Sequence, residues 1–415
     1  MRNVRFAATA TLLANGQVLI AGGVAHEGTS SATAELYDPA TRGFALTGGL
    51  LTGRSRHTAT LLRTGKVLIA GGIDKDGKPV RAAELYDPAS GRFLATGNML
   101  EGRYDHTATL LANGKVLITG GGTTTRGVTN TDTAELYDPA SGTFSQTGVV
   151  TRYYDTTSEK FFYKGEMNAA HAMHTATLLP NGDVVIAGGM DADGKTQAIA
   201  EIYHPASGKF TPAGSMNLAR REHRATLLQN GRVLITGGLD PQDRILAVAE
   251  LYDPATGKFA LTTEAFPHTG TTMTDVRCEH TASILANGQV LIAGGSDTDG
   301  MLATAELYDP AQGSFTCVGG RSGGPISLCK QSMTDFRTYA LAAPLANGQV
   351  LIVGGYNTRT GKTRNPTALA RRMFAGPVAF NILNSAEIYN PASGAFTSTT
   401  TLVNARYGSN TASTR

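Results

Sequence analysis

Three sets of residues in this chain have types and spacings that chemistry could use. Five histidines, His57, His106, His174, His223 and His280, recur at matching positions of a repeating pattern. Imidazoles in such number are the ligands of a transition-metal centre. Arginines Arg5, Arg54, Arg103, Arg220, Arg277 and Arg337 also recur, with His171 in the corresponding place of the fourth unit. A ring of guanidinium groups would hold an anion. Asp74-Lys-Asp76-Gly, Asp191-Ala-Asp193-Gly and Asp297-Thr-Asp299-Gly look like the start of calcium loops.

Spacing argues against each of these in turn. A metal draws its ligands to within about 2–2.5 Å, whereas residues occurring once per unit are spread around a wide ring. The pair His171 and His174 does not change that. None of the Asp-Gly stretches continues to the distal Glu of a calcium loop, and Asp-Gly turn chemistry accounts for them. The expectation is therefore no catalytic residue, no resident metal and no cofactor.

The elements behind these residues come from a sevenfold repeat. Gly-Gly pairs stand at 22–23, 71–72, 120–121, 188–189, 237–238, 294–295 and 354–355, and the undisturbed period is 49 residues. A period near ~50 with several strand-like runs per unit signals a β-propeller. In the second unit the runs are His57–Leu62, Lys66–Ala70, Ala82–Tyr86 and Arg92–Thr96. Short Gly-containing turns join the first two runs, and Asp87-Pro-Ala-Ser-Gly91 joins the last two, with Pro presetting φ and Gly supplying positive φ. Val67-Leu68-Ile69 is continuously apolar, as a strand covered on both faces requires. The small residues of Thr-Ala-Thr suit strands converging on an axis. The expected fold is all-β: a seven-bladed propeller of four-stranded antiparallel blades over residues 1–405, with 406–415 starting an eighth unit or forming a ring-closing tail.

Composition narrows the classes. The net charge of +3 leaves no whole-surface nucleic-acid footprint, and no apolar run approaches the ~20 residues of a membrane span. Three cysteines are too few for a disulfide scaffold. Cys317 and Cys329 flank a Gly-rich loop and would pair in an oxidising compartment; Cys278 is a rival partner, and a reduced trio is equally consistent. Met1 occupies an ordinary repeat position, which suggests a trimmed domain or an incomplete reading frame. The Thr- and Gly-rich, Lys-poor composition leans toward a secreted or cell-surface bacterial protein.

The Gly-Gly pair, the later Tyr-Asp-Pro and the Arg ahead of the first strand resemble kelch repeats, above all the bacterial form with His-Thr-Ala-Thr-Leu-Leu. The resemblance covers the chain apart from its insertions. It implies four-stranded blades with the first strand innermost, and it implies no function by itself. Glu35, Glu84, Glu135, Glu201, Glu250, Glu306 and Glu387 mark the third strand of each unit. Matching counts predict structural Arg–Glu pairs, among them those formed by Arg54, Arg103, Arg220 and Arg277 with Glu84, Glu135, Glu250 and Glu306. In some kelch domains equivalent arginines line the axial mouth and bind acidic peptides, which is the functional alternative.

Four insertions break the rhythm: 150–170, 262–276, 316–336 and 356–385. All fall in second-to-third or fourth-to-first connections, so an up-and-down blade projects them from one face. Loops on a rigid scaffold usually carry function. Tyr153, Tyr154, Phe162 and Tyr163 are displayed by the first insertion, which echoes the blade hairpin. Arg359, Lys362, Arg364, Arg371 and Arg372 make the last one basic, and Ala368–Phe374 is expected to turn helically. These residues predict a non-catalytic binding propeller that engages a protein or an acidic glycan through that face. The alternatives are a carbohydrate-active or copper-radical oxidase-like enzyme, resembling galactose oxidase, and a structural bead of a larger surface protein. The oxidase needs a Cys-linked Tyr, a second Tyr and two His around copper; His268 alone departs from the repeat within a fourth-to-first insertion.

Overall fold

The structure, a computed structural model, describes residues 1–25, 28–124, 129–147, 151–155, 160–164, 167–265, 270–320, 329–357 and 381–399; for 151–155, 160–164 and 264–265 only the backbone is described. Seven sheets of four antiparallel strands follow one another along the chain as blades 1 to 7. In blade 1 they are β1 (Thr9–Leu12), β2 (Val18–Ala21), β3 (Ala34–Asp38) and β4 (Gly43–Leu46), paired in that order. The innermost strands of successive blades touch one another around the whole ring, and β1 of blade 1 meets Leu341–Pro344 of blade 7. Seven four-stranded blades thus make the β-propeller. Among the described residues no helix is long and apolar enough to cross a membrane.

The pattern of burial explains the repeat. The second strand of every blade is buried along its full length, because it is covered by a sheet on each side. The third strand buries its Tyr, which tilts against the Phe of the outer strand, as Tyr86 does against Phe93 with centroids 4.8 Å apart. Inner strands of blades 1 to 5 are half-buried throughout, as the wall of an axial channel is.

Each recurring Arg staples its blade's entry. Arg54 donates from Nη1 to the carbonyls of Gly71 (3.0 Å) and Ala82 (2.7 Å) and from Nη2 to Glu84 Oε1 (2.6 Å). Glu84 in turn accepts the backbone N–H groups of Leu51 and Thr52. The same ion pair joins Arg103 to Glu135, Arg220 to Glu250 and Arg277 to Glu306, each at 2.8 Å. Arg5–Glu35, Arg337–Glu387 and His171–Glu201 complete the set. The arginines are 0–1% exposed, so they face no ligand.

The glycine pair is the socket for the next blade. Gly72 N–H donates to Arg103 O at 2.8 Å, and a Cβ on Gly71 would lie 2.5 Å from both Arg103 O and His106 Cε1. The histidine wedged there reaches back a blade: His57, His106, His174 and His223 meet Thr9, Thr58, Thr107 and Thr175 through Nε2, each at 3.0 Å. The three Asp-Gly stretches form Asx turns, Asp74 Oδ1 accepting from the N–H groups of Asp76 and Lys78 and the other two accepting likewise.

The insertions are partly described. Residues 150–170 contain a two-stranded hairpin, Thr151–Asp155 with Lys160–Lys164, in which Tyr153 pairs with Phe162 and Arg152 with Tyr163. Residues 262–276 begin with one helical turn, Thr262–Ala265. Cys317 and Cys329 are disulfide-bonded, and Cys278 is a buried free thiol. In 356–385, Tyr356–Asn357 pairs with Asn381–Ile382; Arg359, Lys362, Arg364, Arg371, Arg372 and the stretch Ala368–Phe374 lie outside the described residues, as do 406–415.

Candidate functional site at the axial mouth

Three residues separate each recurring Arg from the first strand, and the first two have distinct jobs. The first is clamped by a backbone bridge to the residue after the glycine pair, as Ser55 is to Ile73 and Cys278 to Ser296. The second then has to swing into the strand, and it does so with positive φ. These residues are Ala7, Arg56, Asp105, Met173, Glu222, Glu279 and Tyr339, with φ from 49° to 56°. Non-glycine residues rarely adopt this region, and such strain concentrates at functional sites.

The seven are linked around the axis. Arg56 N–H donates to Ala7 O, Asp105 to Arg56, Met173 to Asp105, Glu222 to Met173, Glu279 to Glu222 and Tyr339 to Glu279, at 3.0–3.4 Å. Side chains from different blades feel one another's charge, Arg56 that of Asp105, Glu222 and Tyr339 and Glu222 that of Asp105 and Arg56, so they converge on the axis. Protein surrounds them, yet Arg56, Asp105, Glu222 and Tyr339 keep some solvent contact, as residues around a channel mouth do.

Their electrostatics divide the mouth in two. On one side Arg56 Nη1 donates to Asp105 Oδ2 at 2.9 Å, and the guanidinium lies 5.9 Å from the Tyr104 ring centroid. On the other, carboxylate oxygens of Glu222 and Glu279 lie within 4.8 Å of each other. Burial and then the Glu222 charge push the Glu279 carboxyl well above the usual range; burial chiefly raises Glu222 too. Two carboxylates this close cannot both ionise readily, so the pair shares a proton. Thr338 Oγ1 donates to Glu279 Oε2 at 2.8 Å. Burial raises the Tyr339 phenol well above its ordinary value and keeps it a donor. Cys278 completes this corner; burial pushes its thiol up, so it stays protonated, with Sγ toward Ser296 O at 3.8 Å. A ligand atom from each of Glu222, Cys278 and Glu279 lies within 4.8 Å of the others.

This cluster answers poorly to a copper-radical centre. Tyr339, Tyr356 and Cys278 are at hand, with the two tyrosine rings stacked 6.0 Å apart. Imidazoles are not: the five strand-leading histidines are held between blades and His171 by Gly188 O and Glu201. His204 sits at an outer turn beside Asp183, and His26 and His268 lie outside the described residues. The donor set described at the mouth is one of carboxyls and phenol, fitted to proton transfer.

The side chains of the insertion residues Tyr153, Tyr154, Phe162 and Tyr163 lie outside what the structure describes. Sequence reasoning missed the cluster because these seven residues are the second unspecified slot of Arg-x-x-His. A signal was present: that slot reads Ala, Arg, Asp, Met, Glu, Glu, Tyr, while the Arg two before it recurs in six units and the His after it in five.

No protein-family profile matches the chain, and neither does any curated relative. Among solved structures 690 chains match. One is a fungal alcohol oxidase of the AA5 family in complex with copper, 16% identical, covering 85% of this chain and 70% of that one with a TM-score of 0.59. At that identity the likeness carries the fold. It nonetheless counts against the expectation of a non-catalytic binding propeller: the solved structure that shares this architecture is a copper alcohol oxidase.

Proposed function

We propose that this chain is a kelch-type propeller enzyme of the carbohydrate-active kind, working by general acid–base catalysis at the axial mouth. The observation that carries this reading is the Glu222–Glu279 pair, two carboxyls with oxygens within 4.8 Å of each other that burial disfavours as a doubly ionised pair. Among the described residues nothing donates to Glu222 Oε2, and it is the base. Glu279, neutral and aligned by Thr338, is the acid. Glu222 takes a proton from a substrate hydroxyl or the carbon beside a carbonyl. Glu279 gives its proton to the oxygen on which charge develops, with the Tyr339 phenol as a second donor. The pair ends with the same number of protons, exchanged between the two carboxyls. Positioned acid–base groups contribute about 10²–10⁴-fold.

The test is proton exchange or isomer interconversion of a panel of aldoses and sugar acids, followed by NMR in D2O. Glu222→Gln and Glu279→Gln, both isosteric, should each lower kcat at least 100-fold while the melting temperature holds or rises. Full activity in both folded variants would sink the reading. A second reading, a copper-dependent alcohol oxidase, is favoured only by the fold likeness; peroxide release from alcohols after copper loading would support it over the first.

A further inference from the structure

We propose that the guanidinium of Arg224 is the docking point for a carboxylate on the substrate, which makes the substrate a small hydroxylated acid of the sugar-acid type. This rests on the acid–base reading of the axial mouth and names its substrate class.

Arg224 interrupts the scaffold pattern. The first residue of the inner strand is Thr9, Thr58, Thr107, Thr175 and Thr281 in blades 1 to 4 and 6. In blades 1 to 4 that hydroxyl holds the next blade's histidine. In blade 5 the position is Arg224, and the histidine is held instead by Thr236 of the second strand, 2.9 Å from His280 Nε2. The structural duty has moved one strand outward, which leaves position 224 free for another use.

The side chain is fixed but not satisfied. Arg224 Nε donates to His280 O at 2.7 Å, anchoring the stem across the junction of blades 5 and 6. Among the described residues neither terminal nitrogen of Arg224 has an acceptor. The neighbouring arginines do: Arg56 is paired with Asp105 and Arg221 with Asp243. A half-buried cation without a partner is costly, and the free edge of a guanidinium fits a carboxylate with two parallel hydrogen bonds. The charge of Arg224 acts on Tyr339, Glu279 and Glu222, so it lies beside the acid–base pair. That pair does not supply a full partner, since its single proton leaves one negative charge, which Arg221 also neutralises. A carboxylate seated on Arg224 would hold the adjoining hydroxyl-bearing carbons against Glu222 and Glu279.

The experiment is calorimetric titration of the full chain with D-glucuronate, D-galacturonate and D-gluconate against D-glucose and D-galactose. At least one acid should bind tenfold or more tightly than the neutral sugars. Arg224→Thr, which restores the residue of the other blades, should reduce the affinity for that acid to the neutral level; Arg224→Gln serves as a second variant should the first fold poorly. Acids that bind no better than neutral sugars, or binding that survives both substitutions, overturn the anchor. The two readings fail separately: undiminished turnover in Glu222→Gln and Glu279→Gln removes the acid–base chemistry, whereas turnover of the sugar acids that is unchanged in Arg224→Thr and Arg224→Gln removes only the anchor.

Discussion

Glu222 and Glu279, from neighbouring blades, bring carboxylate oxygens within 4.8 Å of each other at the axis, and among the described residues Glu222 Oε2 has no donor. Both carboxyls are raised, Glu279 the more strongly, so one is ionised and one neutral across an interval that begins above the ordinary carboxylate range. Activity should follow a bell. It falls on the acid side as Glu222 is protonated and on the alkaline side as Glu279 loses its proton. Glu279→Gln should remove the alkaline limb from the residual rate. A profile without an alkaline limb in the parent enzyme would contradict this.

The same pair should cost stability. A carboxyl raised in the folded state is best tolerated below its unfolded value of about 4.5, and stability is lost as pH rises through the folded value. Glu279→Gln should therefore raise the melting temperature at pH 8 and leave it unchanged at pH 4. An equal shift at both pH values would mean that packing, not ionisation, is responsible.

The Arg54–Glu84 pair makes the opposite case. Both side chains are buried, and Glu84 also holds two backbone N–H groups. Removing one member leaves the other charge unpaired, at about 3–5 kcal/mol. Arg54→Met should lower the melting temperature strongly, and Arg54→Met with Glu84→Gln should recover part of the loss. Additive losses in the double variant would rule out the coupling.

Most of the fold was legible because each blade solves the same packing problem. Val67-Leu68-Ile69 must be covered on both faces, Tyr86 must find Phe93, and Gly71-Gly72 must admit Arg103 and His106, so the sequence repeats those residues. The chemistry was not legible for the converse reason. Arg56, Asp105, Glu222, Glu279 and Tyr339 are separated by 49 to 117 positions and carry no local pattern. Only ring closure makes them neighbours, and their identity is set by what faces the axis. Attention to loop length led instead to the insertions, where aromatic and basic side chains stand out by composition.

Glycine positions separate two kinds of constraint. Gly71 has φ of 67° and no room for a Cβ, whereas Gly65 has φ of 79° and nothing within 4 Å of a Cβ. Gly65→Ala should cost roughly 1–2 kcal/mol from backbone strain alone. Gly71→Ala must also push the Arg103 carbonyl and the His106 ring away and open the junction between blades 2 and 3. Its loss of melting temperature should be at least twice that of Gly65→Ala; equal losses would mean the socket is not a tight one.

The histidines between blades set the acid limit of the whole ring. Burial is the largest cause in each case: it holds His106 down to about 3 and His57, His174, His223 and His280 well below 6.5. In the unfolded chain all five titrate near 6.5. The folded state is thus fully favoured above that value. As pH falls below it the unfolded chain binds protons that the folded chain refuses, and stability declines by about 1.4 kcal/mol per pH unit for each such histidine. The decline for one residue ends only when pH passes its folded value, so His106 continues to contribute down to about 3. Melting temperatures should therefore drop steeply between pH 6 and 4. His106→Gln, which can still reach Thr58 without taking a charge, should flatten that slope by about one proton's worth. An unchanged slope would show that another group governs acid unfolding.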